Sequence, residues 1–155
     1  MLLSSPLSVA IAGLAVLAKA DFQIYMVDIF NIEQGVTEHT FVLNGEPDCN
    51  DVGNAIPISI TDDASSGGTR YKIADTAVPV ADYDIEELEL NIGGDWGHYT
   101  IYKDRGYVME EAGGGPNGGT CTRDSGDDFT CTTNIQTATG VRVFTCSSEL
   151  GGRTG

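Results

Sequence analysis

What most constrains this chain is its punctuation. From residue 21 onward, short runs of β-branched and aromatic residues are broken every few positions by Gly, Asn, Asp or Pro. No segment sustains apolar residues at the three-and-four spacing of a long amphipathic helix. Such a pattern disfavours a helical bundle or a parallel α/β sheet and points to a closed or doubled sheet. Residues 21–32 (DFQIYMVDIFNI) read as a long strand, largely buried in its middle. Glu33, Gln34 and Gly35 make a turn into a second strand at 36–43, which Asn44 and Gly45 end. Residues 56–60 alternate with period two, and Pro57 suggests an edge position. Short strands follow at 69–74 and 88–92. The clearest hairpin pairs 98–103 with 107–110 across Asp104, Arg105 and Gly106. The last third reads as short strands near Cys121, at 129–134 and at 141–147, with residues 151–155 frayed. The fold expected is all-β, a small sandwich or barrel of about nine short, mostly antiparallel strands.

The first twenty residues have a different character. Residues 7–17 are apolar but too short to span a bilayer comfortably, and Ala18-Lys19-Ala20 supplies the small-residue pattern of a signal-peptidase site. The expectation is a signal peptide at 1–20 and one secreted β domain at 21–155, without a transmembrane or lipid anchor. The formal charge is −15, from 8 Lys and Arg against 23 Asp and Glu. Loss of Lys19 makes it one unit more negative. A surface of that sign repels nucleic acid and anionic lipid, so neither is expected as a partner.

Four cysteines follow the leader: Cys49, Cys121, Cys131 and Cys146. An even number in an oxidising compartment reads as two bridges, and their wide spacing lacks the close pairs of a zinc site. Ser125, Gly126 and Asp127 look like a turn, which favours Cys121–Cys131 as a local bridge and Cys49–Cys146 as a long-range one. No N-glycosylation sequon occurs.

Catalytic signals are sparse. There are two histidines, His39 and His98, and no nucleophile elbow, zinc-protease or phosphate-loop pattern. No catalytic residue, metal or cofactor is assigned. Acidic clusters at Asp62-Asp63, Glu86-Glu87 and residues 124–128 offer calcium-type oxygen ligands but lack EF-hand spacing, and read better as solvated surface. Carboxylates are numerous enough that pairs at glycosidase distance arise by chance. Trp96, Tyr99, Tyr102 and Tyr107 offer a sugar-stacking platform, against the alternative that they pack a sheet.

The leader followed by Asp21-Phe22-Gln23-Ile24-Tyr25, together with the segment 96–104 (WGHYTIYKD), resembles the small secreted cysteine-containing proteins of filamentous fungi. The resemblance implies a secreted effector- or elicitor-like protein and brings no catalytic residues with it. Two functions stay open. One is a non-enzymatic interaction protein that meets a protein or glycan outside the cell through loops on an acidic β scaffold. The other is an extracellular carbohydrate-binding or carbohydrate-active protein using the four aromatics.

Overall fold

The computed structural model describes residues 20–59, 64–75, 77–115 and 117–152. The expected leader lies almost wholly outside these residues. The chain forms a closed nine-stranded barrel in which each strand pairs with its sequence neighbours and the last pairs with the first. The strands are β1 (Ala20–Asn31), β2 (Gly35–Leu43), β3 (Ile56–Ser59), β4 (Gly68–Ile73), β5 (Ile85–Asn91), β6 (His98–Tyr102), β7 (Val108–Glu111), β8 (Gly119–Thr132) and β9 (Gln136–Ser148). All pairings are antiparallel except β3–β4. Closure removes free sheet edges, which an isolated sheet would expose to aggregation.

Alternation along the strands sorts the apolar residues into two clusters. Phe22, Ile24 and Met26 on β1 join Leu88 and Leu90 on β5, Ile101 on β6 and Val143 on β9 in the barrel interior. The intervening Tyr25, Val27 and Ile29 face outward and pack with Phe41, Phe129 and Ala138 in a smaller cluster. Val52 and Ala55, from the segment between β2 and β3, lie against it. Truncating a fully buried leucine such as Leu90 costs about 2–5 kcal/mol.

Pro57 does not lie at an edge, because β3 sits between β2 and β4. Proline has no N–H to give a ladder, and β3 is short, with only His39 and Thr40 paired to it from β2. A hydroxyl chain compensates. Thr69 Oγ1 donates to the Pro57 carbonyl at 3.1 Å and lies 3.0 Å from Thr40 Oγ1, whose hydroxyl is left to donate to it.

The disulfides correct the expected pairing. They join Cys49 to Cys131 and Cys121 to Cys146, not Cys121 to Cys131 and Cys49 to Cys146. Cys121 and Cys131 both lie on β8, and ten residues of extended strand span roughly 33 Å, far beyond bridging reach. The Ser-Gly-Asp sequence does not reverse the chain. It is absorbed into β8 as register shifts between Arg123 and Gly126 and between Gly126 and Phe129, with Asp127 at φ 46°. Cys121 thus stands directly opposite Cys146 on β9. Cys49–Cys131 ties the β2–β3 segment over the outer cluster. The chain end also departs from expectation: Gly151 is buried and its carbonyl accepts from Trp96 Nε1 at 3.0 Å, while the Gly152 N–H donates to Asn44 Oδ1 at 2.6 Å. The frayed reading of 153–155 lies outside the described residues.

Candidate functional site

The four aromatics do not meet on one surface. Trp96 and Tyr99 are buried; the Trp96 ring stands edge-on to Phe22 at 5.1 Å and to Tyr99 at 6.3 Å. Tyr107 packs against Phe144 at 5.3 Å. Tyr102 is half-buried, with the Arg105 guanidinium 4.1 Å above its ring. These rings are core and sheet packing, not a platform.

The histidines are also apart. His39, on β2, approaches the Thr37 carbonyl at 3.2 Å. His98 Nε2 donates to Glu89 Oε1 at 2.7 Å, and the other Glu89 oxygen accepts from Arg70 Nε at 2.8 Å and the Ala64 N–H at 3.2 Å. Burial works against the Glu89 charge, but these bonds outweigh it and hold the carboxyl below its usual range. The cluster locks β4, β5 and β6 together on the outside of the barrel. Of the acidic clusters, Glu86 and Glu87 pair with Lys72, and Glu87 also with Arg70. Asp124 and Asp127 pair with Arg142. Asp62 and Asp63 lie outside the described residues. No group of three metal-ligating side chains occurs among the described residues.

A cavity opens at one mouth of the barrel. Here β1, β2, β8 and β9 run past the shorter strands. Residues 28–31 of β1 pair with 35–38 of β2 on one side and 136–139 of β9 on the other. The outer side of this overhang carries Ile29, Ala138 and Cys131 of the smaller cluster. The inner side continues the row Phe22, Ile24, Met26 as Asp28 and Phe30. Asp28 stands directly opposite Glu38 across the β1–β2 ladder and Thr139 across β1–β9. Burial, and then the neighbouring Glu38 charge, push the Asp28 carboxyl above its usual range. Tyr71 Oη donates to Glu38 Oε2 at 2.6 Å, and the Tyr83 ring lies 5.8 Å from that of Tyr71. Burial, followed by the hydrogen bond to Glu38, pushes the Tyr71 hydroxyl well above its usual value. The cavity has a volume of about 560 Å³ and is lined by Asp28, Met26, Tyr83, Phe129, Asp128 and the 78–81 segment.

Beyond the cavity, the tip of the overhang is apolar. Phe30 is 48% exposed, Ile32 71%, Val36 62% and Ile135 62%, and these are the exposed large hydrophobics among the described residues. Phe30 pairs with Val36, and the Ile32 N–H donates to the Ile135 carbonyl at 3.2 Å, joining the β1–β2 and β8–β9 turns. Neither 20–69 nor 124–141 contains a Lys or Arg. The described basic side chains are occupied elsewhere. Arg70, Lys72 and Arg142 hold the pairs already given; Lys103 pairs with Asp84 and Arg105 with Glu110. Arg123 donates to the carbonyls of Val143, Ala81 and Tyr83.

Sequence reasoning missed this mouth. The available signal was the continuation of the period-two row through Asp28, Phe30 and Ile32, in a stretch without a single basic residue. Compared with known protein families, with curated proteins and with solved structures, the chain matches none.

Proposed function

We propose that this is a secreted, non-enzymatic interaction protein, effector-like in the sense of its sequence resemblance, which binds a partner outside the cell through one end of an acidic β-barrel. The observation that carries this reading is the tip formed by Phe30, Ile32, Val36 and Ile135. Exposed large apolar side chains gathered at one place mark an interaction surface, whereas scattered ones do not. The two disulfides are consistent with an extracellular protein. The carbohydrate reading has less to rest on, since Trp96 and Tyr99 are buried and only Tyr102 and Tyr107 are half-buried.

The test has two parts. Expression of the full chain in a secreting host should release a protein that begins at Asp21, read by mass spectrometry of the medium; intact Met1 in the released protein refutes the leader. The purified protein should turn over none of a panel of polysaccharide, peptide and ester substrates. Turnover that Asp28→Asn or Glu38→Gln abolishes, with circular dichroism unchanged, overturns the non-enzymatic reading.

A further inference from the structure

The Asp28–Glu38 pair is unusual for a structural feature. Like charges directly opposite on an antiparallel ladder destabilise it, and both lie on the inner side of the overhang, where neither forms an ion pair with a described basic side chain. Asp28 opens onto a cavity that mixes apolar Met26, Val80 and Val141 with a second acid, Asp128, and the hydroxyl residues Thr130 and Thr139. A cavity of this volume with one or two placed charges suits the end of a side chain that is cationic at its tip and apolar along its stem. Phe30 and Val36 border the acid pair on the same inner side, and Ile32 and Ile135 extend the apolar surface outward.

We propose, resting on the binding reading above, that this mouth docks a cationic amphipathic segment of a partner protein. A Lys or Arg of the partner enters the cavity and pairs with Asp28 and Glu38, while its neighbouring apolar residues cover Phe30, Ile32, Val36 and Ile135. Charge complementarity selects this occupant. A second copy of the chain would bring two acidic mouths together, and an anionic lipid surface would be repelled. The acid pair therefore costs stability in the free protein, and the partner's cation relieves it on binding.

The experiment uses the full mature chain and a fluorescently labelled synthetic peptide of Lys and Leu in amphipathic order, with a Glu and Leu peptide of the same length as control. Anisotropy at low and high salt reads the affinity. The Lys peptide should bind and the Glu peptide should not. Binding should weaken steeply toward 1 M salt, where screening falls to about 3 Å. Asp28→Asn and Glu38→Gln should each weaken it roughly ten-fold or more, the value of a charge-assisted hydrogen bond. Ile32→Asn and Ile135→Asn, at positions too exposed to unfold the barrel, should each weaken it several-fold. Glu149→Gln, an exposed acid outside the mouth, should leave it unchanged. Equal binding of the Glu peptide, an equal loss in Glu149→Gln, insensitivity to Asp28→Asn, self-association that Ile32→Asn removes without any peptide binding, or no binding of the Lys peptide at all each overturns the proposal. Those failures leave the broader binding reading in place as long as the substrate panel shows no turnover.

Discussion

Replacing Asp28 with asparagine should make the folded protein more stable at neutral pH. In the native barrel the Asp28 carboxylate is partly desolvated and faces Glu38 across the β1–β2 ladder, and both effects favour its protonated form. A carboxyl whose folded pKa lies above its unfolded one stabilises the fold below the unfolded value of about 3.9, and that contribution is lost as pH rises through the folded pKa. Above the folded pKa the wild type has lost it. Asparagine keeps the shape and removes the charge. Like charges directly opposite on two strands cost a few tenths to about 1 kcal/mol. At about 2–4 °C per kcal/mol for a chain of this size, the midpoint should rise by roughly 1–4 °C. Thermal melts by circular dichroism at neutral pH and in acid would read this. The gap between variant and wild type should close in acid, where Asp28 is protonated in both native and unfolded chains. Glu38→Gln should gain less, because it also weakens the bond from Tyr71 Oη. The double variant should gain less than the sum, since either change relieves the same repulsion. A neutral-pH midpoint that falls in Asp28→Asn, or a gap that persists unchanged in acid, refutes the reasoning.

Other expectations follow from the same geometry. Peptide mapping under non-reducing conditions should find Cys49–Cys131 and Cys121–Cys146 and no free thiol under denaturation, and a Cys121–Cys131 fragment would contradict the β8 assignment. Removing the long-range bridge with Cys49→Ser and Cys131→Ser should lower stability by about 4 kcal/mol on the chain-entropy scale, and removing the other by somewhat less, measured by urea unfolding. Trp96→Phe keeps an aromatic in the core but leaves the Gly151 carbonyl without its donor; a loss of about 1–3 kcal/mol and faster amide exchange at 151 and 152 are expected, and unchanged exchange there would refute the docked chain end. Tyr71→Phe should cost about 1–2 kcal/mol by the same melts, and a neutral result would remove the Tyr71–Glu38 bond from the account.

Much of the barrel was legible because period-two alternation and turn chemistry agree along it. The first two strands and the turn between them match β1, β2 and residues 32–34 to within a residue, with Gly35 at φ 82°. The 98–110 hairpin holds for the same reason, with Gly106 left-handed at φ 69°. The reading failed where a turn signal lay inside a strand. Ser125, Gly126 and Asp127 satisfy turn preferences locally, but β9 offers a continuous ladder of partners, and two bulges cost less than breaking it. That one local misreading carried the disulfide pairing with it. A simpler rule divides the four aromatics. Tyr99 and Tyr102 are three residues apart on one strand, and an odd spacing sends side chains to opposite faces. Tyr99 and Ile101 point inward, while His98 and Tyr102 lie on the other face.

The mouth was hidden for a different reason: it depends on unequal strand lengths around the barrel, which no single segment reveals. Residues 28–32 look like the end of any buried strand. Phe30 and Ile32 are exposed and Asp28 is only half-buried because β3, β4 and β7 stop short of them, while β2, β8 and β9 accompany them. An overhang of this kind has two faces to cover. The outer one is covered by the segment between β2 and β3, held down by Cys49–Cys131. The inner one keeps a like-charged pair and ends in four exposed apolar side chains. Had that face served only the fold, an apolar or hydroxyl residue at position 28 would extend the row begun by Phe22, Ile24 and Met26 at lower cost. The interior behind it is filled by side chains from all sides of the barrel, leaving binding to the rim. A face that is costly in isolation and uncovered among the described residues is the ground for the proposed partner, whose cationic, amphipathic character its charge and apolarity together would match.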